Sequence, residues 1–251
     1  MIPIKTKREI ATMREGGKIL QEVVEKILAL AKPGITTQAL ETEAARLLLE
    51  RGAEPAFPKL AGFPGVIHTA INEEVVHIAP SDHSLQEGEI LSIDAGLLWY
   101  GYYLDMARTI AIGNASDEVR HFLKTAKKSL RMALRNIKPG NTVGDIGNVI
   151  ERFVESQGYA VIRELCGHGI GKELHEDPQI PNTGTRNSGE KLLPGMVMCV
   201  EPMITMGSWE VIRRKGGGYV TKDGSLSAHV EDTILVTPQG CEVLTTTSQE
   251  A

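Results

Sequence analysis

The sequence predicts an α+β fold built from two related halves, with two helix pairs on one face of mostly antiparallel strands and a pseudo-two-fold axis between the halves. Two observations point there. Helix start and stop signals recur 106 residues apart: Lys32-Pro33-Gly34 as Lys138-Pro139-Gly140, Thr36 as Thr142, and Gly52 as Gly158. Apolar strands ending on a carboxylate recur 107 residues apart, Gly88 through Asp94 matching Gly195 through Glu201. Two copies are too few for a solenoid, which stacks repeats of roughly 20–50 residues. The expectation is one domain over residues 1–251, with halves at about 1–113 and 114–251, whose two carboxylate-bearing sheets meet at the axis.

The first helix starts at the capping-box pattern Thr6-Lys7-Arg8-Glu9 and carries Ile10, Met13, Leu20, Val24, Ile27 and Leu28 at helical spacing before Pro33-Gly34 stops it. The second starts at Thr36 or Thr37, shows Leu40, Ala44, Leu47 and Leu48, and ends at Gly52. The third starts at Ser116 and presents Leu123, Ala126, Leu130, Leu134 and Ile137. The fourth starts at Thr142 and presents Ile146, Val149, Ile150, Phe153 and Val154 before Gly158. Each half then offers a His-x-x-Pro pattern, at His77 and at His175. Each closes with a second acidic strand, Asp105 before Met106–Ile112 and Glu231 before Asp232–Thr237.

Composition narrows the partners. The 251 residues are 41% hydrophobic and 24% charged, an ordinary globular balance, and the net charge is −5 without a dense basic run. Nucleic acid and an anionic membrane are therefore not expected as partners. Cys166, Cys199 and Cys241 are odd in number and widely spaced, which suits a reducing cytoplasm better than a disulfide scaffold or thiolate zinc site. The N-terminus is charged where a signal peptide needs an apolar run, and no stretch approaches the ~18 apolar residues of a membrane span. Nothing marks an oligomer interface, so a monomer is expected.

Carboxylates at the ends of apolar strands need partners, because burying an unpaired charge is costly. Asp94, Asp105, Glu201 and Glu231 converging by symmetry would repel one another, and no comparable set of strand-borne Lys or Arg is present to neutralise them. Two divalent cations would. With imidazole added, the donors form a hard, oxygen-rich set suited to Mn, Fe, Co or Zn in an open two-metal site, which points to metal-assisted hydrolysis. His168 lies in Gly167-His168-Gly169-Ile170-Gly171, where glycines permit close backbone approach and unusual angles. This G-x-G-x-G is no dinucleotide fingerprint, and Gly216-Gly217-Gly218 is no phosphate loop.

At these segments the chain resembles the type I methionine aminopeptidases, the short bacterial form within the M24 metallopeptidases. The resemblance covers essentially the whole chain. It rests on Ile71–His77, Ile93-Asp94, Gly101–Asp105, Cys166–Gly171, Leu174–Pro178, Val200–Met203 and Ser225–Glu231. It implies the duplicated pita-bread (creatinase/aminopeptidase) fold and removal of the N-terminal methionine from nascent chains whose second residue is small. By the same resemblance Asp94 would chelate one metal through both oxygens, Asp105 and Glu231 would bridge the two, and His168 and Glu201 would complete the ligands of the other metal. Glu201 would shuttle the proton, His175 would bind at the scissile peptide, and His77 would contact the substrate backbone. Transient contact with the ribosome is implied as well.

The substrate pocket departs from that family. His68 stands where a cysteine is usual, Leu60 replaces a tyrosine, and the usual tryptophan falls near Gly217 with Tyr219 close by. Phe63 fits the expected aromatic wall. Ile93-Asp94-Ala95-Gly96 and Met106 look more like the Xaa-Pro peptidases of the same fold, although those usually carry an additional N-terminal domain, which is not expected in the 76 residues before His77 because the repeat already uses them. A non-catalytic binding protein of this fold would be expected to lose ligands, and all five are present.

Overall fold

A computed structural model describes residues 2–59 and 63–245. The expected caps form. Helix α1 (Lys7–Leu30) begins at Thr6 with both bonds of the capping box, and α2 (Thr37–Glu50) begins at Thr36, whose side chain accepts from Ala39 N–H. Strands β1 (Glu54–Pro55), β2 (Ile67–Ile71), β3 (Glu74–Val76), β4 (Ile90–Trp99) and β5 (Tyr102–Ala111) follow. In the second half, α3 (Asp117–Asn136) is capped by Ser116, and α4 (Val143–Ser156) by a capping box at Thr142 and Asp145. Then come β6 (Ala160–Val161), β7 (Cys166–Gly169), β8 (Glu176–Pro181), β9 (Val197–Val200), β10 (Met203–Thr205), β11 (Val211–Arg213), β12 (Tyr219–Thr221), β13 (Ser227–His229), β14 (Glu231–Thr237) and β15 (Gly240–Val243).

The repeat extends to backbone conformation. Gly34 and Gly140 have φ of +93° and +91°, and Gly52 and Gly158 have +68° and +84°, left-handed turns that only glycine adopts without strain. Isolated bridges recur too, Thr36 with Ser84 and Thr142 with Lys191. The buried face of α3 is shifted slightly from the one expected. Phe122, Ala126, Leu130 and Ala133 are fully covered, while Leu123 and Leu134 pack only partly.

One expectation is corrected. The carboxylate-bearing strands do not form two sheets meeting at an axis; they belong to one continuous sheet running β1-β4-β5-β14-β9-β7-β8, with β2 on β4 and β15 on β14. The halves join where β5 pairs with β14, Ala107 opposite Glu231 and Met106 opposite Asp232. Side chains alternate between the faces of a strand, so this register sorts the residues. Leu97 and Leu104 face the helices, where Gly16 of α1 lies so close that a Cβ would sit 2.8 Å from Leu104 Cδ2. Met198, Val200 and Ile234 face α3 and α4 in the core of the second half. Asp94, Asp105, Glu201 and Glu231 take the opposite face. Sequence also left out a buried cation: Arg108, on the helix side, pairs with Asp232 at 2.7 Å and donates to the Glu231 carbonyl at 2.5 Å.

Candidate metal centre

Register builds the centre. Asp94 on β4 lies opposite Ala107 on β5, which lies opposite Glu231 on β14, and Asp105 is two residues from Ala107 on the same face. Val200 pairs with Asp232, so Glu201, one residue further, comes level with Glu231. Two small residues leave room for these carboxylates. Ala107 separates Asp94 from Glu231. Gly96 lies opposite Asp105, and a Cβ there would come within 3.3 Å of Asp105 Oδ1 and 2.9 Å of Ala56 Cβ.

His168 arrives from β7 through glycine, for one of the two expected reasons. A Cβ at Gly167 would lie 2.4 Å from the Cys199 carbonyl oxygen, and one at Gly169 would lie 2.2 Å from that of Asp177. Close backbone approach therefore demands the glycines; none of Gly167, Gly169 and Gly171 has a positive φ. His168 Nδ1 donates to the Gly169 carbonyl at 2.9 Å, and Nε2 is thereby turned as an acceptor towards Glu201 Oε1, 3.5 Å away. A backbone carbonyl on the far nitrogen is the usual support for a metal-binding imidazole. Burial, with repulsion from His175, lowers the His168 pKa to about 4, so the ring is neutral as a ligand must be.

The carboxyls differ among themselves. Removal from water raises Asp105, Glu201 and Glu231 well above the usual range, and the charges of neighbouring carboxylates push in the same direction. Burial acts on Asp94 too, but the charge and hydrogen bond of His68, with help from His229 and His77, bring it down to about 2. Asp94 Oδ1, Asp105 Oδ1 and Glu231 Oε1 are buried and lack a hydrogen-bond partner. One ligand atom each from Asp94, Asp105 and Glu231 lies within 4.8 Å of the others, as do those of Glu201, His229 and Glu231, and of His168, Cys199 and Glu231. Orphaned acceptor oxygens, mutually repelling carboxylates and a neutral imidazole fit divalent cations, and the sharing of Glu231 among the groups fits two.

A cavity of ≈ 580 Å³ opens over this centre, lined by His68, His77, His175, Phe57, Leu174 and Met203 among others. A groove of ≈ 600 Å³ between α3 and α4 holds no comparable gathering of histidines and carboxylates, so the chemistry selects the first. His175 meets His168 edge-on at 4.5 Å, and His77 follows β3 with φ of +60°, a conformation that costs energy for a non-glycine residue. Both are open to the cavity, and desolvation lowers both pKa values.

The aromatic wall gains a residue that sequence did not single out. Phe57 lines the cavity and stacks on His68 at 4.1 Å, and Phe63 packs edge-on against His68 at 4.2 Å. His68 reaches the metal centre itself, with Nδ1 2.7 Å from Asp94 Oδ2. Tyr219 lies 6.2 Å from His77, Gly217 occupies the tip of the β11–β12 hairpin, and Leu60 lies outside the described residues. His229, left without a role by sequence, is 2% exposed and stands 3.5 Å from both Glu201 and Glu231. Its position two residues before Glu231 was the available signal.

The model of metallopeptidase family M24 matches residues 11–238. The chain is 44% identical over 247 residues to the methionine aminopeptidase of Clostridium acetobutylicum, covering 98% of this chain and 99% of the relative. It is similar to the solved methionine aminopeptidase of Thermotoga maritima, with a TM-score of 0.96, 39% identity, and coverage of 98% and 100%. It is more distantly similar to the prolidase of Pyrococcus furiosus, with a TM-score of 0.78, 26% identity, and coverage of 98% of this chain against 66% of that one.

Proposed function

The chain belongs to metallopeptidase family M24 and, within it, to the methionine aminopeptidases, and from that premise we propose that it removes the first methionine of nascent proteins and peptides at a two-metal centre. The observation that carries the reading is the convergence of Asp94, Asp105, Glu201, Glu231 and His168 beneath one cavity, with an oxygen each of Asp94, Asp105 and Glu231 buried and unpartnered. Asp94, Asp105 and Glu231 would hold one ion, and Asp105, Glu231, His168 and Glu201 the other. Divalent ions held there, whether Mn, Fe, Co or Zn, would supply Lewis-acid polarisation of the scissile carbonyl and lower the pKa of water so that hydroxide is available as the nucleophile.

The remaining steps fall to side chains. Glu201, facing the cavity, takes the proton of the attacking water and passes it to the leaving amine. His175 supplies a hydrogen bond to the oxygen that gains charge during attack. His77 holds the substrate backbone, and Phe57 and His68 wall the space for the first side chain, with Phe63 bracing His68. The finer reading is a single-domain monomer in the cytoplasm that meets the ribosome only in passing, without nucleic-acid or membrane partners. Three free cysteines support the reducing compartment, and among the described residues no helix is long and apolar enough to cross a membrane.

The test is a side-by-side assay of Mn- or Co-loaded enzyme on Met-Ala-Ser and Ala-Pro-Ala peptides. Preferential release of methionine is expected. Preference for Ala-Pro-Ala would transfer the protein to the Xaa-Pro specificity, and no cleavage of either would defeat the enzymatic reading.

A further inference from the structure

The imidazole of His229 has no part in the five-ligand set, yet the fold places it with care. Thr109 on β5 pins its backbone from both sides, accepting from His229 N–H at 2.9 Å and donating to the His229 carbonyl at 2.6 Å. Ser92 on β4 braces Thr109 at 2.7 Å. The strands of the first half therefore fix a residue of the second beside the carboxylates. Its side chain is 3% exposed, and neither ring nitrogen has a hydrogen-bond partner. Leaving such a group unsatisfied is costly, a standing penalty that calls for a partner in the working enzyme.

We propose that His229 is a positioning residue whose Nε2–H is shared between Glu201 and Glu231, holding the two carboxylates in the orientation that binds metal. Nε2 is 3.5 Å from Glu201 Oε2 and 3.5 Å from Glu231 Oε2. Those separations are too long for a settled hydrogen bond and are closed by a small side-chain rotation. The oxygens concerned point to a donor role, not a ligand role. Glu201 meets His168 through Oε1 and His229 through Oε2, while the oxygen of Glu231 left without a partner is Oε1. Each carboxylate thus turns one oxygen to the ligand set and the other to His229.

This inference rests on the two-metal reading, and titration calorimetry of metal-free protein with Mn²⁺ separates the two. Wild type that binds no Mn²⁺ would overturn the reading and the inference together. Given wild-type binding, H229A is expected to weaken Mn²⁺ affinity about tenfold and to lower kcat on Met-Ala-Ser similarly with KM little changed, as loss of a ligand-orienting partner does. H229Q keeps an N–H donor of similar reach and lacks an imidazole; it is expected to recover both to within about threefold. Its Co²⁺-loaded form is expected to keep the wild-type visible absorption. H229A binding Mn²⁺ like wild type would overturn the inference, as would H229Q failing as badly as H229A or losing the wild-type Co²⁺ spectrum. Should H229A not fold, H229M fills the volume without a donor and takes its place.

Discussion

Nδ1 of His68 lies 2.7 Å from Oδ2 of Asp94, which ties the wall of the substrate cavity directly to a carboxylate of the metal centre. Both belong to the face that the β2–β4 register defines, His68 opposite Asp94. The bond leaves Asp94 Oδ1 as the oxygen without a partner. On the proposed assignment His68 bears on metal and substrate at once.

Replacing His68 with alanine removes a support of a metal-binding carboxylate. Affinity for the ion held by Asp94 is expected to fall about tenfold. Calorimetry with Mn²⁺ checks this. The loss should exceed any change in affinity at the Glu201 side, since His68 bonds only Asp94 among the five.

Ala107 separates Asp94 from Glu231 in one row across three strands and is fully buried. Ala107→Leu would fill the space between the two carboxylates, at an overpacking cost of about 1–3 kcal/mol. Elemental analysis of the purified variant should find less than half of the wild-type metal, with the far-UV circular dichroism retained.

Arg108 and Asp232 form a buried pair, with side chains 3% and 5% exposed, across the joint between the halves. Truncating one partner strands the other charge, and R108A is expected to lose about 3–5 kcal/mol in urea unfolding. The pair lies on the helix side of the sheet. Its loss should weaken the whole fold before it alters the metal preference of the folded fraction.

The raised carboxyls also set a pH dependence. Asp105, Glu201 and Glu231 sit above their unfolded values of roughly 4, so in metal-free protein their contribution is present in acid and lost as pH rises through the raised values. Asp94, at about 2, has the opposite sign, and its contribution is complete above roughly pH 4. Metal must displace the bound protons. The thermal stabilisation by Mn²⁺ is expected to grow from pH 5 to pH 8, and binding should release protons, measured as a dependence of the calorimetric heat on buffer ionisation.

Much of this was legible in sequence because local chemistry dictates it. Thr6, Thr36, Ser116 and Thr142 cap the helices where their spacing to the apolar runs requires, and Gly34, Gly52, Gly140 and Gly158 stop them. The carboxylates announced themselves beside apolar runs, although Asp94 and Asp105 lie within β4 and β5 and not at the ends, where sequence had placed them. What stayed hidden depends on register between distant strands. Pairing of β5 with β14 fuses the sheets, and the His68–Asp94 bond joins residues 26 apart through β2 and β4. Phe57, which sequence did not single out, joins the wall because the chain before β2 folds over Gly96, where a Cβ would lie 3.1 Å from the Phe57 ring.

The most direct measurement is an anomalous difference map from crystals grown with Mn²⁺. Two peaks are expected on the cavity side of the sheet, one contacting Asp94, one contacting His168 and Glu201, and both contacting Asp105 and Glu231. A peak elsewhere, or none with the five side chains well ordered, would contradict the two-metal centre on which the assignment stands.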